Sequence, residues 1–286
     1  MWSEAELATI RRAYARQVMF AAGVTSTELE DAYAAVKRED YLGPGPWKIF
    51  RWSGYAETPS ADPAYLYTDC VVAIIAARGL NNGQPSGHVA WIASAMPRPG
   101  EHVVHIGAGT GYYSAILAHM VGPAGRVTAI EYEPDLAAGA KANLAPLATV
   151  EVKQGDGTTI RFDPADVIYV NAGATRPVDS WLDGLKDGGR LVAPLTTNAA
   201  FGTAPARSLQ GAMFRIERRG ADFLASFVSP AAFIPGEGMR DPASEAALAV
   251  GFACGGFQNV TRLYRTDAVP ESQCWVRAPG WSLAYR

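Results

Sequence analysis

Hydrophobic and polar positions follow a helical period at the beginning of the chain. Apolar residues recur at helical steps over residues 3–22, and a second helical pattern covers residues 26–38. Thr25 to Glu28 has the composition of a capping box at the start of the second pattern. The sequence therefore predicts a pair of helices at the N-terminus.

The middle of the chain has a different pattern. Residues 100–195 alternate short apolar runs with helical stretches, which predicts an α/β fold with a mainly parallel sheet and helices on both faces. Apolar and polar residues then alternate from Ala212 to Val228 around Arg219-Gly220, which predicts an antiparallel hairpin that closes the sheet. The elements predicted beyond Pro235 are one helix and two strands: Ser244–Phe252, Val260–Tyr264 and Cys274–Arg277.

A glycine-rich turn interrupts the first apolar run of this middle region. Val103–Ile106 ends at Gly107, Gly109 and Gly111, and a helix candidate covers Tyr112–Val121. Three glycines let the backbone turn tightly and approach a ligand closely. The turn therefore predicts a ligand site at the N-terminus of the helix.

An acid follows the next predicted strand. Glu131 lies at the C-terminal end of Arg126–Ile130, where a carboxylate can accept both hydroxyls of a ribose. A dinucleotide fingerprint would have a third glycine at Tyr112, and no Lys-Ser or Lys-Thr pair follows to form a P-loop. The pattern indicates an adenosine-type cofactor, with a dehydrogenase the weaker interpretation.

A second acidic turn extends the pattern. Gly155-Asp156-Gly157 follows another β-like run, and the whole set resembles class I S-adenosylmethionine (SAM) methyltransferases. The resemblance implies that Glu131 holds the ribose and Asp156 the adenine amino group. Asn171 follows the fourth strand, at the sheet edge where ligands bind, and is otherwise a turn residue. The remaining cofactor-binding residues implied are Gly107, Gly109, Thr110, Gly111, Tyr112, Tyr132 and Gly157.

Longer segments are similar to one family, protein-L-isoaspartate O-methyltransferase. The segments that match its motifs are EDAYAAVKREDYL at 30–42, GDGT at 155–158, DVIYVNAGA at 166–174 and LKDGGRLVAP at 185–194. They cover roughly residues 5–235. The resemblance implies a Rossmann-like fold, SAM as cofactor and a carboxylate acceptor on a peptide, a protein or a small molecule.

One segment departs from this family. Where the family has G-Q-T-I-S-x-P, with a serine beside the transferred methyl group, the chain has a shorter segment with Gln84 and Ser86. The upstream element is only partly kept, as Tyr67-Thr-Asp69. Gln84 and Ser86 are the candidate catalytic residues, and Ser86 has an alternative role as N-cap of a helix over residues 87–96.

The sequence contains no convincing acid/base pair. A carboxylate acceptor is ionised at pH 7 and needs no general base, so transfer would rest on orientation and on exclusion of water. An amine or phenol acceptor would favour a base. The nearby candidate is His88, for which packing or solvent exposure is the better interpretation. His102 and His105 resemble a metal pair, but their odd spacing on a strand sends them to opposite faces. We therefore expect no metal, which disfavours a metal-dependent methyltransferase.

The composition limits the binding partners and the cellular compartment that we expect for this protein. A formal net charge of −3 predicts no general attraction to nucleic acid. The three cysteines are widely spaced and odd in number, which argues against a disulfide framework. No apolar run has membrane-spanning length and the first residues do not resemble a signal peptide, so we expect a cytoplasmic protein without membrane contact.

We expect three regions. Residues 1–98 would form a helical cap and a substrate-side segment that is rich in aromatics such as Trp52, residues 99–235 the SAM-binding core, and residues 236–286 an extension packed on that core. The aromatic side chains would either anchor this long connecting segment to the core or control access of the substrate to the site. The favoured function is a carboxyl O-methyltransferase, and the alternative is a SAM-binding protein without transfer that serves regulation or partner binding. The sequence gives no oligomeric state.

Overall fold

The computed structural model describes residues 2–51, 54–197 and 211–286. It divides the chain into two compact units, Met1–Glu101 with Ala108–Gln154 and His102–Gly107 with Gly155–Arg286. Among the helices of the described ranges, none combines the length and apolar character that crossing a membrane requires.

The first unit is mainly helical. Its α-helices are α1 (Glu4–Ala22), α2 (Thr27–Ala35), α3 (Pro85–Ala95), α4 (Tyr112–Val121) and α5 (Pro134–Leu144). Its strands form two short antiparallel hairpins and a parallel pair: β1 (Lys48–Arg51) with β2 (Gly54–Glu57), β3 (Ala73–Ile75) with β4 (Leu80–Asn81), and β6 (Arg126–Glu131) with β7 (Val150–Gln154).

Serine is the N-cap residue of both N-terminal helices, but the capping box is not at the predicted place. It lies at α1, where Ser3 accepts from the Glu6 amide and the Glu6 side chain accepts from the Ser3 amide. The prediction for Thr25–Glu28 was wrong, because Ser26 is the N-cap of α2 and the residue three positions on is Leu29, which has no carboxylate to return the bond.

Tyrosine rings fill the core between these helices. Tyr14 of α1 and Tyr33 of α2 are buried with centroids 6.2 Å apart, and Tyr33 meets Tyr112 of α4 at 6.4 Å. The aromatic-rich connection is anchored by a buried cluster in which Trp47 packs with Leu66 and Val72. Trp52 of this connection lies outside the described residues.

The second unit is built on a sheet. Its strands are β5 (His102–Ile106), β8 (Ala165–Val170), β9 (Leu185–Thr196), β10 (Gly211–Arg219), β11 (Asp222–Pro230), β12 (Arg262–Tyr264), β13 (Cys274–Ala278) and β14 (Trp281–Ala284). They follow the order β13-β14-β12-β11-β10-β9-β8-β5. The pairs β5–β8 and β8–β9 are parallel, whereas the pairs from β9 outward are antiparallel. The unit's α-helices are α6 (Asp179–Gly184) and α7 (Pro242–Cys254).

The predicted closing hairpin is confirmed as β10 and β11, which turn at Gly220. The predicted tail helix is α7, and the two predicted tail strands are β12 and β13. These strands, with β14, extend the antiparallel part of the sheet beyond the hairpin. The α/β class, with parallel strands and an antiparallel closing hairpin, is confirmed.

Candidate cofactor and acceptor sites

The glycine turn has the backbone that its sequence predicts. Gly107, Gly109 and Gly111 all have positive φ, at 77°, 57° and 99°. A Cβ on Gly111 would lie 2.7 Å from the Leu144 side chain, and one on Gly107 would lie 3.1 Å from the Asn171 backbone. Larger residues at these two positions would therefore require both a strained backbone and a displaced neighbour.

Glu131 ends β6 and reaches back to this turn. One carboxylate oxygen accepts the Gly109 amide at 2.6 Å, and the other accepts the Glu133 amide at 3.0 Å. Burial raises the pKa of Glu131 above its ordinary value of 4.5, and the bonds from the Glu133 and Gly109 amides oppose that rise. An ionised carboxylate has further lone pairs, so each oxygen can still accept a hydroxyl of a ligand.

The predicted residues around the turn have different environments. The Thr110 carbonyl accepts from the Asn143 side chain at 3.0 Å, which ties the turn to α5. Tyr112 begins α4 as predicted, but its ring is buried in the tyrosine core, with Tyr41 at 5.8 Å. Tyr132 remains 45% exposed beside Glu131. Cofactor contact by Tyr112 or Tyr132 stays a prediction.

Asp156 occupies an ordered turn in the second unit. Its Oδ1 accepts from both the amide and the hydroxyl of Thr158, at 2.8 and 2.7 Å. The next residue, Gly157, accepts from the Trp181 indole at 2.8 Å, and a Cβ on Gly157 would lie 2.4 Å from Ile106. These contacts fix the orientation of the Asp156 carboxylate and leave Oδ2 outside the Thr158 bonds.

Asn171 follows β8 and pairs with a histidine that the sequence did not connect to it. The Asn171 side-chain nitrogen lies 2.7 Å from Nε2 of His105. Burial lowers the pKa of His105 from 6.5 to about 3, so the ring is neutral at physiological pH. Among the described residues, the buried Asn171 Oδ1 has no hydrogen-bond partner. A buried amide oxygen without a partner is suited to accept a hydrogen bond from a ligand.

Gln84 and Ser86 converge on one carboxylate in the first unit. The Ser86 hydroxyl and the Gln84 side-chain amide donate to Asp69 Oδ2 at 2.7 and 2.8 Å. The Ser86 backbone amide donates to Asp69 Oδ1 at 2.8 Å. Sequence reasoning named the first two residues but missed Asp69, although the partly kept Tyr67-Thr-Asp69 element contained the signal.

The N-cap role suggested for Ser86 was wrong. Helix α3 begins at Pro85, with Gln84 as its N-cap residue and no capping bond from the Gln84 side chain. Ser86 is the second helical residue, whose amide has no partner within the helix. Asp69 satisfies this amide from a distant segment, and its negative charge suits a helix N-terminus.

A buried arginine holds the two segments that carry these groups. The Arg38 guanidinium donates to the Leu66 and Cys70 carbonyls at 2.6 Å each, on either side of Asp69. It also donates to the Asn82 side chain at 3.3 Å, and that side chain accepts the Val72 amide. Arg38 is fully buried. It therefore positions the segment that bears Asp69 relative to the start of α3.

His88 and His102 contact neighbouring groups in different ways. His88 is buried and stacks on Tyr113, with ring centroids 3.6 Å apart and planes 7° apart. The His102 ring nitrogen contacts the Pro164 carbonyl at 3.2 Å, whereas His105 meets Asn171. Within the described ranges, no three His, Cys, Asp or Glu side chains cluster in a way that could hold a metal.

The fold and the glycine turn place the chain in the Rossmann-like methyltransferase class. The model of the protein-L-isoaspartate(D-aspartate) O-methyltransferase family matches residues 17–204, and the chain belongs to this family.

Named relatives agree with this assignment. A protein-L-isoaspartate O-methyltransferase from Aeropyrum pernix is 43% identical over 106 residues, which cover 35% of this chain and 41% of that one. One from Thermotoga maritima is 29% identical over 176 residues, covering 59% and 51%. The chain thus spans about half the length of these curated relatives or less.

Two solved structures have the same fold. A protein-L-isoaspartate O-methyltransferase superposes with a TM-score of 0.62 at 25% identity, covering 78% of this chain and 65% of that one. A Plasmodium falciparum protein, described as a putative protein-L-isoaspartate O-methyltransferase in complex with S-adenosyl-L-homocysteine, has a TM-score of 0.60 at 14% identity, covering 79% and 97%.

Proposed function

We propose that this protein is a SAM-dependent carboxyl O-methyltransferase that acts on isoaspartyl residues in peptides or proteins. The observation that carries the proposal is the buried Glu131 carboxylate, which accepts a hydrogen bond from the Gly109 amide. The chain that presents this carboxylate belongs to the family named above. Its two oxygens are held by backbone amides and retain lone pairs for ribose hydroxyls.

Each of the two units has acceptor atoms that could receive donors of the cofactor. SAM carries hydrogen-bond donors on its ribose, its adenine and its amino acid portion. Glu131, Asp156 Oδ2 and Asn171 Oδ1 are acceptors with capacity that the described contacts leave unused. We assign Glu131 to the ribose, Asp156 to the adenine amino group and Asn171 to a further donor of the cofactor.

The acceptor-side geometry favours a peptide. Ser86 and Gln84 both donate to Asp69, so the lone pairs of Ser86 Oγ and the Gln84 side-chain oxygen remain as acceptors. Such atoms suit the N–H groups of a peptide backbone better than a carboxylate. In our proposal, Gln84 and Ser86 therefore orient the peptide that carries the isoaspartyl group, and Asp69 positions both residues.

Methyl transfer to a carboxylate requires little from the protein beyond orientation of the two reactants. When bound, SAM supplies an activated methyl group whose transfer to a carboxylate leaves a neutral thioether. An ionised carboxylate is already a nucleophile, so no residue has to remove a proton. Stacking of buried His88 on Tyr113 supports this assignment, since the ring is used for packing. Alignment of two bound reactants can contribute roughly 7–11 kcal/mol to lowering the barrier.

The test is methyl incorporation from labelled SAM into an isoaspartyl peptide, with the matching aspartyl peptide and the Glu131→Ala variant as controls. We expect base-labile label in the isoaspartyl peptide alone, and a strong reduction with the variant. Absence of label, with SAM binding measured in the same preparation, would contradict the activity and favour a non-catalytic SAM-binding protein. We propose a cytoplasmic setting, in keeping with three free cysteines.

A further inference from the structure

The segment that follows the closing hairpin lies against Asp156. A Cβ built on Gly238 would be 2.4 Å from Asp156 Oδ2 and 2.9 Å from its Cγ. A side chain at position 238 would therefore meet the Asp156 carboxylate unless one of the two groups moved. We infer that Gly238 is a specificity-determining residue of the cofactor site, because its lack of a side chain keeps Asp156 Oδ2 aimed at the adenine amino group. This inference rests on the proposed function, since it assumes that Asp156 binds adenine.

The carboxylate cannot easily move away from a side chain at position 238. Asp156 Oδ1 accepts two hydrogen bonds from Thr158, and the Asp156 carbonyl accepts the amides of Thr159 and Ile160 at 3.0 and 2.9 Å. Rotation of the carboxylate would break both Thr158 bonds. A larger residue at 238 would therefore either block Oδ2 or turn it away from its ligand.

The segment that carries Gly238 is equally well fixed. The Ile234 carbonyl accepts the Gly173 amide at 2.8 Å, and the Gly236 amide donates to the Gly173 carbonyl at 3.0 Å. Beyond Gly238, the Met239 carbonyl accepts the Thr175 amide at 3.1 Å. These bonds attach residues 234–239 to the loop after β8 on both sides of Gly238. The segment cannot withdraw locally without losing them.

Gly238 also has a left-handed backbone, with φ of 73°. Any substitution there adds backbone strain that has nothing to do with Asp156. Gly280 provides a matched control, because its φ is 77° and a Cβ there would meet nothing within 4 Å. Comparison of Gly238→Ala with Gly280→Ala separates contact with Asp156 from strain.

The experiment is calorimetric titration with S-adenosylhomocysteine and with its analogue in which hypoxanthine replaces adenine. Hypoxanthine lacks the exocyclic amino group, so the wild-type protein should prefer the adenine compound. Gly238→Ala should reduce affinity for the adenine compound by about tenfold or more, while affinity for the hypoxanthine compound changes much less. Gly280→Ala should bind both compounds as the wild type does.

The outcomes separate this inference from the proposed function. If the wild-type protein does not bind S-adenosylhomocysteine, the proposed function fails. If it binds, but Gly238→Ala matches Gly280→Ala or loses both compounds equally, the role of Gly238 is overturned.

A double variant tests the inference even if Gly238→Ala alone does not fold. Adding Gly238→Ala to Asp156→Ala should cost no more stability than Gly280→Ala costs the wild-type protein and should not weaken S-adenosylhomocysteine binding further, because only backbone strain remains once the crowded carboxylate is gone. A further loss in the double variant would contradict the inference.

Discussion

The Ser86 hydroxyl donates a 2.7 Å hydrogen bond to Asp69, and the amide of the same residue donates to the other Asp69 oxygen at 2.8 Å. One carboxylate thus holds both the backbone and the side chain of Ser86. The bond from the Ser86 amide caps α3, and the bond from the Ser86 hydroxyl fixes the direction of its hydrogen. Capping of α3 therefore depends on Asp69, and the substrate orientation that we propose depends on both Asp69 and the Ser86 side chain.

Ser86→Ala should lower kcat/KM for an isoaspartyl peptide by about tenfold, because one oriented hydrogen-bond acceptor is lost. SAM affinity and melting temperature should stay unchanged, since the Ser86 amide still reaches Asp69. Steady-state kinetics and thermal denaturation measure these quantities. Ser94→Ala is the control on the same helix, because the Ser94 hydroxyl donates to the Trp91 carbonyl within α3. A fall in melting temperature with unchanged kinetics would contradict the assignment.

Arg38→Met should destabilise the protein by about 3 kcal/mol or more, because buried carbonyls lose a charged donor. Turnover should fall as well, since Arg38 holds the segment on either side of Asp69. Urea denaturation gives the free energy of unfolding. Arg16→Met is the control, because Arg16 is exposed and pairs with Glu30 and should change stability by no more than about 0.5 kcal/mol. Equal effects of the two substitutions would rule out the positioning role.

Glu131→Ala should weaken binding of S-adenosylhomocysteine by roughly tenfold to a hundredfold, because two ribose hydroxyls lose a charged acceptor. Calorimetry measures the change. Glu133→Ala is a close control, since the Glu133 side chain pairs with Arg78 and only its backbone amide contacts Glu131. Similar affinity in the two variants would refute the ribose assignment.

The affinity for S-adenosylhomocysteine should depend on pH through Glu131. Burial raises the pKa of this carboxyl above 4.5, and ribose hydroxyls bind its ionised form better. Affinity should therefore fall as pH is lowered toward the raised pKa, beginning at a higher pH than an ordinary glutamate would give. Titrations at a series of pH values test this. Affinity that stays constant down to pH 4.5 would exclude Glu131 as the ribose acceptor.

His105 should make the fold sensitive to acid. Its pKa is about 3 in the folded protein against 6.5 ordinarily, so the unfolded chain binds a proton that the folded protein does not. Stability is fully present above pH 6.5 and falls as pH drops toward 3, with a contribution of about 1.4 kcal/mol per pH unit. His105→Gln should flatten this slope in denaturation curves measured between pH 7 and 4. An unchanged slope in the His105→Gln variant would contradict this role of His105.

Sequence patterns predicted local features well and distant contacts poorly. Helix α4 was predicted with its observed bounds, because a glycine turn and an apolar period define it within a few residues. The partner of Ser86 lies 17 residues upstream, so a local capping rule assigned the wrong cap. His105 and Asn171 are 66 residues apart, and no spacing in one sequence connects them. The positions of the two acids proposed for the cofactor were predictable because each lies at or just after the end of its own strand.

The strands of the tail also change the edge of the sheet. Without them, β11 would present nine residues of unpaired backbone, which is a template for association with other chains. β12 pairs with Phe223 and Leu224 of that strand, and the outermost strand becomes β13, which has five residues. Helix α7 lies against β13, where the Trp275 indole donates to the Gly251 carbonyl. The tail thereby covers one part of the β11 edge, which reduces the backbone available for edge-to-edge association without any need for a cofactor.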